Sequence, residues 1–233
     1  MLDLLRARLG QKTNPVNPRD SGGGLPERFR GRLEARADAD AAAASRRLPV
    51  IDLGATVFAP EEAADGLQFT GDHRMAARTR QALVSEGGEM ELARALDAKM
   101  RSLLGRSLRL RSVAAGSCGG CEAELTALGN VVFDMARFGV QFVASPRHAD
   151  GIVVTGVVSA NMREALERTY EATPDPRIVI AVGACAISGG VFRDSDQATG
   201  IPESIPVDLW IPGCPPHPLT ILDGLLRLLG RLE

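Results

Sequence analysis

Aromatic side chains are scarce in this chain: one Trp, one Tyr and seven Phe among 233 residues. The core must therefore be built from Val, Ile, Leu and Ala. Charge of one sign is missing too. With 27 basic and 29 acidic residues the net charge is -2, which leaves no electrostatic footprint for nucleic acid. No stretch approaches the ~20 continuous apolar residues of a membrane-crossing helix. The opening MLDLLRARLGQKTNPVNP has no apolar segment followed by a small-residue cleavage site, so it does not read as a secretory signal. Arg46-Arg47 is followed by LPVIDLG, too short and too polar for an export signal. No P-loop, G-x-G-x-x-G fingerprint or Ser/His/Asp arrangement supports nucleotide binding or hydrolysis. A cytosolic chain is expected, in which four cysteines act as ligands or catalysts rather than as disulfides.

What is present changes character near residue 105. Residues 1–48, with SGGG and ADADAAAASRR, read as an extended or weakly helical arm with too few large apolar residues to offset its ordering entropy. Residues 49–104 read as a docking segment, with short strands around a turn in 49–70 and helix over 72–104 broken at Gly87-Gly88. From residue 107 to the end the grammar is regular. The strands are SLRLRSV, GVQFVAS, GIVVTGVV, RIVIAVG and VDLWIPG, and the helices are residues 121–137, MREALERTYEA and TILDGLLRLLGRL. Strands alternating with helices predict an α/β domain over 105–233: a flavodoxin-like, mostly parallel sheet with helices on both faces.

The four cysteines fall on that grammar in a telling way. Cys118 and Cys121, in GSCGGCEAEL, follow the first of these strands; Cys185 follows RIVIAVG and Cys214 follows VDLWIPG. In an open parallel sheet the loops after the strands share one edge, where such folds hold ligands. Three readings compete. A redox dithiol uses the CxxC pair and leaves Cys185 and Cys214 unexplained. A structural zinc ordinarily draws on two knuckles, whereas here the second pair is widely separated. An iron–sulfur cubane accepts four thiolates from scattered loops, and the glycines around each cysteine let backbone N–H groups come close. One [4Fe–4S] cluster is the favoured reading.

The segments GSCGGCEAEL, FDMARFGVQFVASPRHADGIVVTG, MREALERTYEATPDPRIVIAVGACAISGGVF and IPVDLWIPGCPPHPLTILDGL resemble the small electron-transfer subunit shared by respiratory complex I and the group 4 membrane-associated [NiFe] hydrogenases. The resemblance runs from about residue 105 to the C-terminus. It implies that Cys118, Cys121, Cys185 and Cys214 ligate a cluster beside the active site of a large [NiFe] hydrogenase-like subunit. It also implies a ferredoxin-like iron–sulfur subunit and membrane-arm subunits as partners, with the chain held peripherally on the cytoplasmic face of the membrane. Complex I members bring two adjacent cysteines to the first position, so the CxxC spacing is similar to the hydrogenase branch. Residues 49–75 resemble a ferredoxin-like segment stripped of its cysteines.

Around the cysteines, Glu122 and Glu124 are candidates for proton transfer, with a solvated first helical turn as the alternative. Arg137 and Arg147 are candidates for contact with the large subunit, with ordinary salt bridges as the alternative. His148 reads as a hydrogen-bonded structural residue, His217 as either a neighbour of the cluster edge or a helix N-terminal residue, and Thr155 and Ser159 as loop and cap residues.

Overall fold

The computed structural model describes residues 25, 29–35, 48–49, 67–85, 91–97 and 107–232. Five strands form one wholly parallel sheet: β1 (Leu108–Ala114), β2 (Val140–Phe142), β3 (Gly151–Thr155), β4 (Ile178–Val182) and β5 (Leu209–Ile211). Their spatial order is β2-β1-β3-β4-β5. This is the flavodoxin-like winding, in which the chain reverses direction across the sheet between β1 and β3.

Strand periodicity splits the apolar residues between two faces. Val153 of β3 and Ile178, Ile180 and Val182 of β4 enter one core with Leu108, Leu110 and Ile211. Ile152, Val154 and Val179 point into the other with Val113 and Val158. Helices α1 (Gly120–Ala127) and α4 (Pro218–Leu228) cover the first face, and α2 (Ala160–Ala172) covers the second through Leu166. A short helix α3 (Ala184–Ser188) follows β4. At the opposite edge of the sheet, the Asp150 carboxylate accepts the Arg109 N–H at 2.7 Å and Asp208 accepts the Val179 N–H at 2.9 Å, fixing the strand starts.

Helix α1 ends at Ala127 rather than running to residue 137. The Asn130 side-chain oxygen accepts the N–H groups of Val132 and Phe133 at 2.8 and 3.1 Å, and that local pairing competes with helix continuation. Residues 135–138 close as a single 3₁₀ turn.

The helix expected over 72–104 is absent from its described residues. Residues 72–76 and 91–97 carry no regular secondary structure, and Ala77 forms an isolated bridge, with a 3₁₀ turn at Gln81–Leu83 and a strand at Val84–Ser85 in between. Their backbone groups are spent on tertiary partners instead. Ala77 and Trp210 exchange both hydrogen bonds at 3.0 and 2.9 Å, bridging onto β5, and Leu96 donates to Leu228 O at 2.9 Å. This cover helps to explain why every residue of α4 is buried: the sheet lies on one side, and Ala76, Ala93 and Leu96 join the same core from the cover. Two short antiparallel pairs, Leu33–Ala35 with Leu67–Phe69 and Leu48–Pro49 with Val84–Ser85, complete the described structure. Most of the 1–48 arm and the centre of the ferredoxin-like stretch at 50–66 lie outside the described residues.

Candidate metal centre

The loops after β1, β4 and β5 lie at one edge of the sheet, because all five strands are parallel. Cys118 and Cys121 bracket the start of α1, Cys185 sits in α3 directly after β4, and Cys214 follows β5. Gly183 donates to Ile211 O at 2.9 Å and Ala184 to Gly213 O at 2.8 Å, so the Cys185 and Cys214 loops are stitched together. A Cβ on Gly183 (φ 91°) would lie 2.5 Å from the Cys121 sulfur. Glycine at that position is what lets the β1 and β4 loops close on one another.

All four thiols are free, Cys118 exposed and the others partly buried. Burial raises the Cys121 thiol to about 12, reinforced by Glu122 and the fields of Cys185, Cys214 and Cys118. Cys185 is raised by burial and then by Cys214 and Cys118, and Cys214 by burial and then by Cys118. The four sulfurs therefore sit within one electrostatic neighbourhood. Among the described residues, however, no three His, Cys, Asp or Glu side chains lie close enough to share a single metal ion. Four thiols delivered by three loops are a donor set of the kind that holds an iron–sulfur unit, and the positive N-terminal end of α1 favours thiolate charge there.

The acidic neighbours differ from one another. Glu122 is not a solvated first-turn residue. Burial pushes its carboxyl up, but the Thr155 hydroxyl, with a smaller contribution from Ser117, outweighs this and holds it below the usual carboxylate range. Thr155 itself is a fully buried residue of β3 rather than a loop residue, and its hydroxyl reaches the Glu122 carboxylate. Nothing in the sequence marked that pairing, since the two positions lie on different strand–loop units. Glu124 is raised by burial alone. Ser159 occupies the N-cap of α2, though its side chain makes no capping bond.

Arg137 is exposed and lies over the Phe138 ring at 4.5 Å. Arg147 is exposed on the 3₁₀ turn after β2, without a carboxylate partner among the described residues. His148 beside it is also exposed and makes no side-chain hydrogen bond among them, against the structural role expected of it. His217 is the N-cap of α4, its Nδ1 accepting the Leu219 N–H at 3.2 Å, with the Phe29 and Phe133 rings edge-on at 5.4 and 5.7 Å. Phe192 (52% exposed) and Val191 (48%) stand just past the Cys185 helix.

Residues 118–228, a span that starts on the first cysteine and contains all four, match the family described as NADH ubiquinone oxidoreductase, 20 kDa subunit. Over 136 residues the chain is 45% identical to the probable membrane-bound hydrogenase subunit mbhJ of Pyrococcus furiosus, covering 58% of this chain and 81% of that protein. The chain belongs to this family.

The family spans two kinds of complex. The chain is 46% identical over 112 residues to an NADH-quinone oxidoreductase subunit of Citrifermentans bemidjiense, covering 48% of this chain and 66% of that one. Among solved structures it is similar to a chain of the membrane-bound sulfane sulfur reductase, an archaeal respiratory membrane complex. The TM-score there is 0.50 at 32% identity, over 58% of this chain and 75% of that one. No helix among the described residues is long and apolar enough to cross a membrane.

Proposed function

We propose that this family member is the electron-transfer subunit of a hydrogenase-type, complex I-related oxidoreductase. Cys118, Cys121, Cys185 and Cys214 hold one [4Fe–4S] cluster beside the active site of a large subunit. The observation that carries this reading is the gathering of four free thiols from three strand ends at one sheet edge. When bound, the cluster supplies one-electron transfer.

The chain's own residues position and tune the site. Gly183 lets the β1 and β4 loops close, the N-terminal turn of α1 offers N–H groups, and Thr155 orients Glu122 next to Cys121. Glu122 and Glu124 serve proton movement between solvent and the neighbouring active site. Val191, Phe192, Arg137 and Arg147 face the large subunit. A ferredoxin-like iron–sulfur subunit is the electron partner on the far side, and membrane-arm subunits hold the assembly peripherally on the cytoplasmic face. The CxxC spacing and the relative in a hydrogenase complex favour a hydrogenase-type partner; the NADH-quinone oxidoreductase relative makes a quinone-reducing partner the second reading.

The test is iron and acid-labile sulfide analysis with electron paramagnetic resonance on the copurified complex, plus nickel content and hydrogen turnover. About four iron and four sulfide per chain are expected for one cubane. Stoichiometric zinc without sulfide would overturn the proposal. Iron and sulfide without nickel would move it to the quinone-reducing branch.

A further inference from the structure

The cover over α4 contains a buried polar cluster that plays no part in the cysteine site. His73 is 1% exposed, and neither ring nitrogen has a hydrogen-bond partner. Thr220 (0% exposed) and Asp223 (1%), one turn apart on α4, are in the same condition at the Thr220 hydroxyl and at Asp223 Oδ1. Native interiors rarely leave such atoms unpaired, so several in one neighbourhood of the fold mark a place where polarity does something other than hold structure.

The charges facing His73 are already engaged. On its own segment, Asp72 accepts two bonds from the Arg74 guanidinium, at 2.8 and 2.9 Å, with Arg32 at 3.7 Å. On the helix, the other Asp223 oxygen accepts from Arg227 at 2.9 Å. His217, at the helix N-cap, is the remaining titratable neighbour. A proton arriving on His73 therefore meets two acids each neutralised by an arginine, and a second histidine.

The mechanical setting is a narrow attachment. Residues 72–83 are held by the double bond between Ala77 and Trp210, by Ala93 donating to Ala76 O at 2.8 Å, and by a small apolar cluster of Met75, Ala77, Leu83 and Ile187. The Ala76 side chain rests on α4 at Gly224, where an added Cβ would come within 2.7 Å of it. Arg80 and Trp210 also line a surface pocket of about 390 Å³ with Ile187, Gly189 and Arg193.

We infer that residues 72–83 form an acid-sensitive latch. Uncharged His73 keeps the segment closed on α4 and the β5 edge, and a proton taken from solvent by His73 releases it. The sign follows from the surroundings. Burial pushes His73 below its ordinary 6.5, with Arg74 and Arg227 acting the same way and Asp223 and Asp72 against. The open segment thus binds a proton more readily than the closed one, and closure weakens as pH falls through 6.5. His217, lowered by burial and then by His73, acts in the same sense. Asp223, raised by burial, acts in the opposite sense, since the closed segment binds that proton more readily than the open one.

The chain's single tryptophan, Trp210, is the natural reporter. On the full chain, Trp210 emission and hydrogen–deuterium exchange of residues 72–83 are followed from pH 7.5 to 5, after correction for intrinsic exchange rates. Opening of the segment relative to β3 and β4 should rise by up to about tenfold per pH unit below about 6.5. The rise should be clearly smaller in His73→Leu and His73→Gln, one apolar and one able to pair with the orphaned oxygens, with only the part due to His217 left. Two results overturn the latch: no relative rise in the wild-type chain, or the same rise in a folded His73 variant. If both variants fail to fold, the wild-type profile alone decides it.

Discussion

The cysteine edge and the cover over α4 handle buried polarity in opposite ways. At the edge, Cys121, Cys185 and Cys214 are partly buried and raised by burial, a cost that the proposed cluster would offset. Under the cover, Asp223 and Arg227 answer each other at 2.9 Å, while His73, the Thr220 hydroxyl and the second Asp223 oxygen go without. One region waits on a ligand; the other pairs part of its polarity within itself and leaves the rest unpaired. A protein can therefore hold costly polar groups for a visitor or hold them for its own geometry, and the two need different tests.

The sharpest contrast is expected from Cys185→Ser. With no thiol beyond the four, the variant should lose the cubane signal or convert it to a three-iron species, while thermal unfolding of the cluster-free chain shifts little. A full [4Fe–4S] spectrum in this variant would break the four-cysteine assignment.

Next comes the other region. Arg227→Leu removes the only cation that hydrogen-bonds the buried Asp223 carboxylate among the described residues and should cost roughly 3–5 kcal/mol, as for broken buried pairs. Urea unfolding measures it, with iron content per folded chain unchanged. If iron falls in proportion to stability, the two regions are not separable and the comparison fails.

The smallest effect belongs to the seam between strand and cysteine loop. Thr155→Val removes the hydroxyl that meets Glu122 and should cost about 1 kcal/mol. It should also raise the Glu122 carboxyl. Because that group is held low in the wild type, its contribution is present above the ordinary carboxylate value and fades as pH falls. The difference between variant and wild type should therefore be largest near neutral pH and shrink on acidification, in urea unfolding followed against pH. A difference independent of pH would mean that Thr155 only fills space.

Much of the domain from residue 107 onward was legible in the sequence because its strands are continuous apolar runs. GIVVT and IVIAV are buried on both faces, as parallel strands are. The placement of each cysteine just past a strand followed from that grammar alone. Three features were not legible, each for a reason of competition. The helix after Cys121 is cut short by the Asn130 side chain, a local bond that periodicity does not register. Residues 72–97 carry a helix-like apolar spacing, but their backbone pairs with Trp210 and Leu228, partners far away in the chain. The Thr155–Glu122 contact likewise depends on the end of β3 and the first turn of α1 meeting in space.

The hydrogen bond from Leu96 to Leu228 and the bridge between Ala77 and Trp210 also set an order of events during synthesis. The cover leaves the ribosome early, yet its partners emerge only after more than half of the chain has followed. Until then Met75, Ala76 and Ala77, all buried at the end, have nothing to lie against, and such early apolar stretches are where nascent chains engage chaperones or misassociate. Helix α4 thus arrives after the cover and seals it. A chain stalled before residue 209 would carry Cys118, Cys121 and Cys185 with neither the fourth thiol nor the seal.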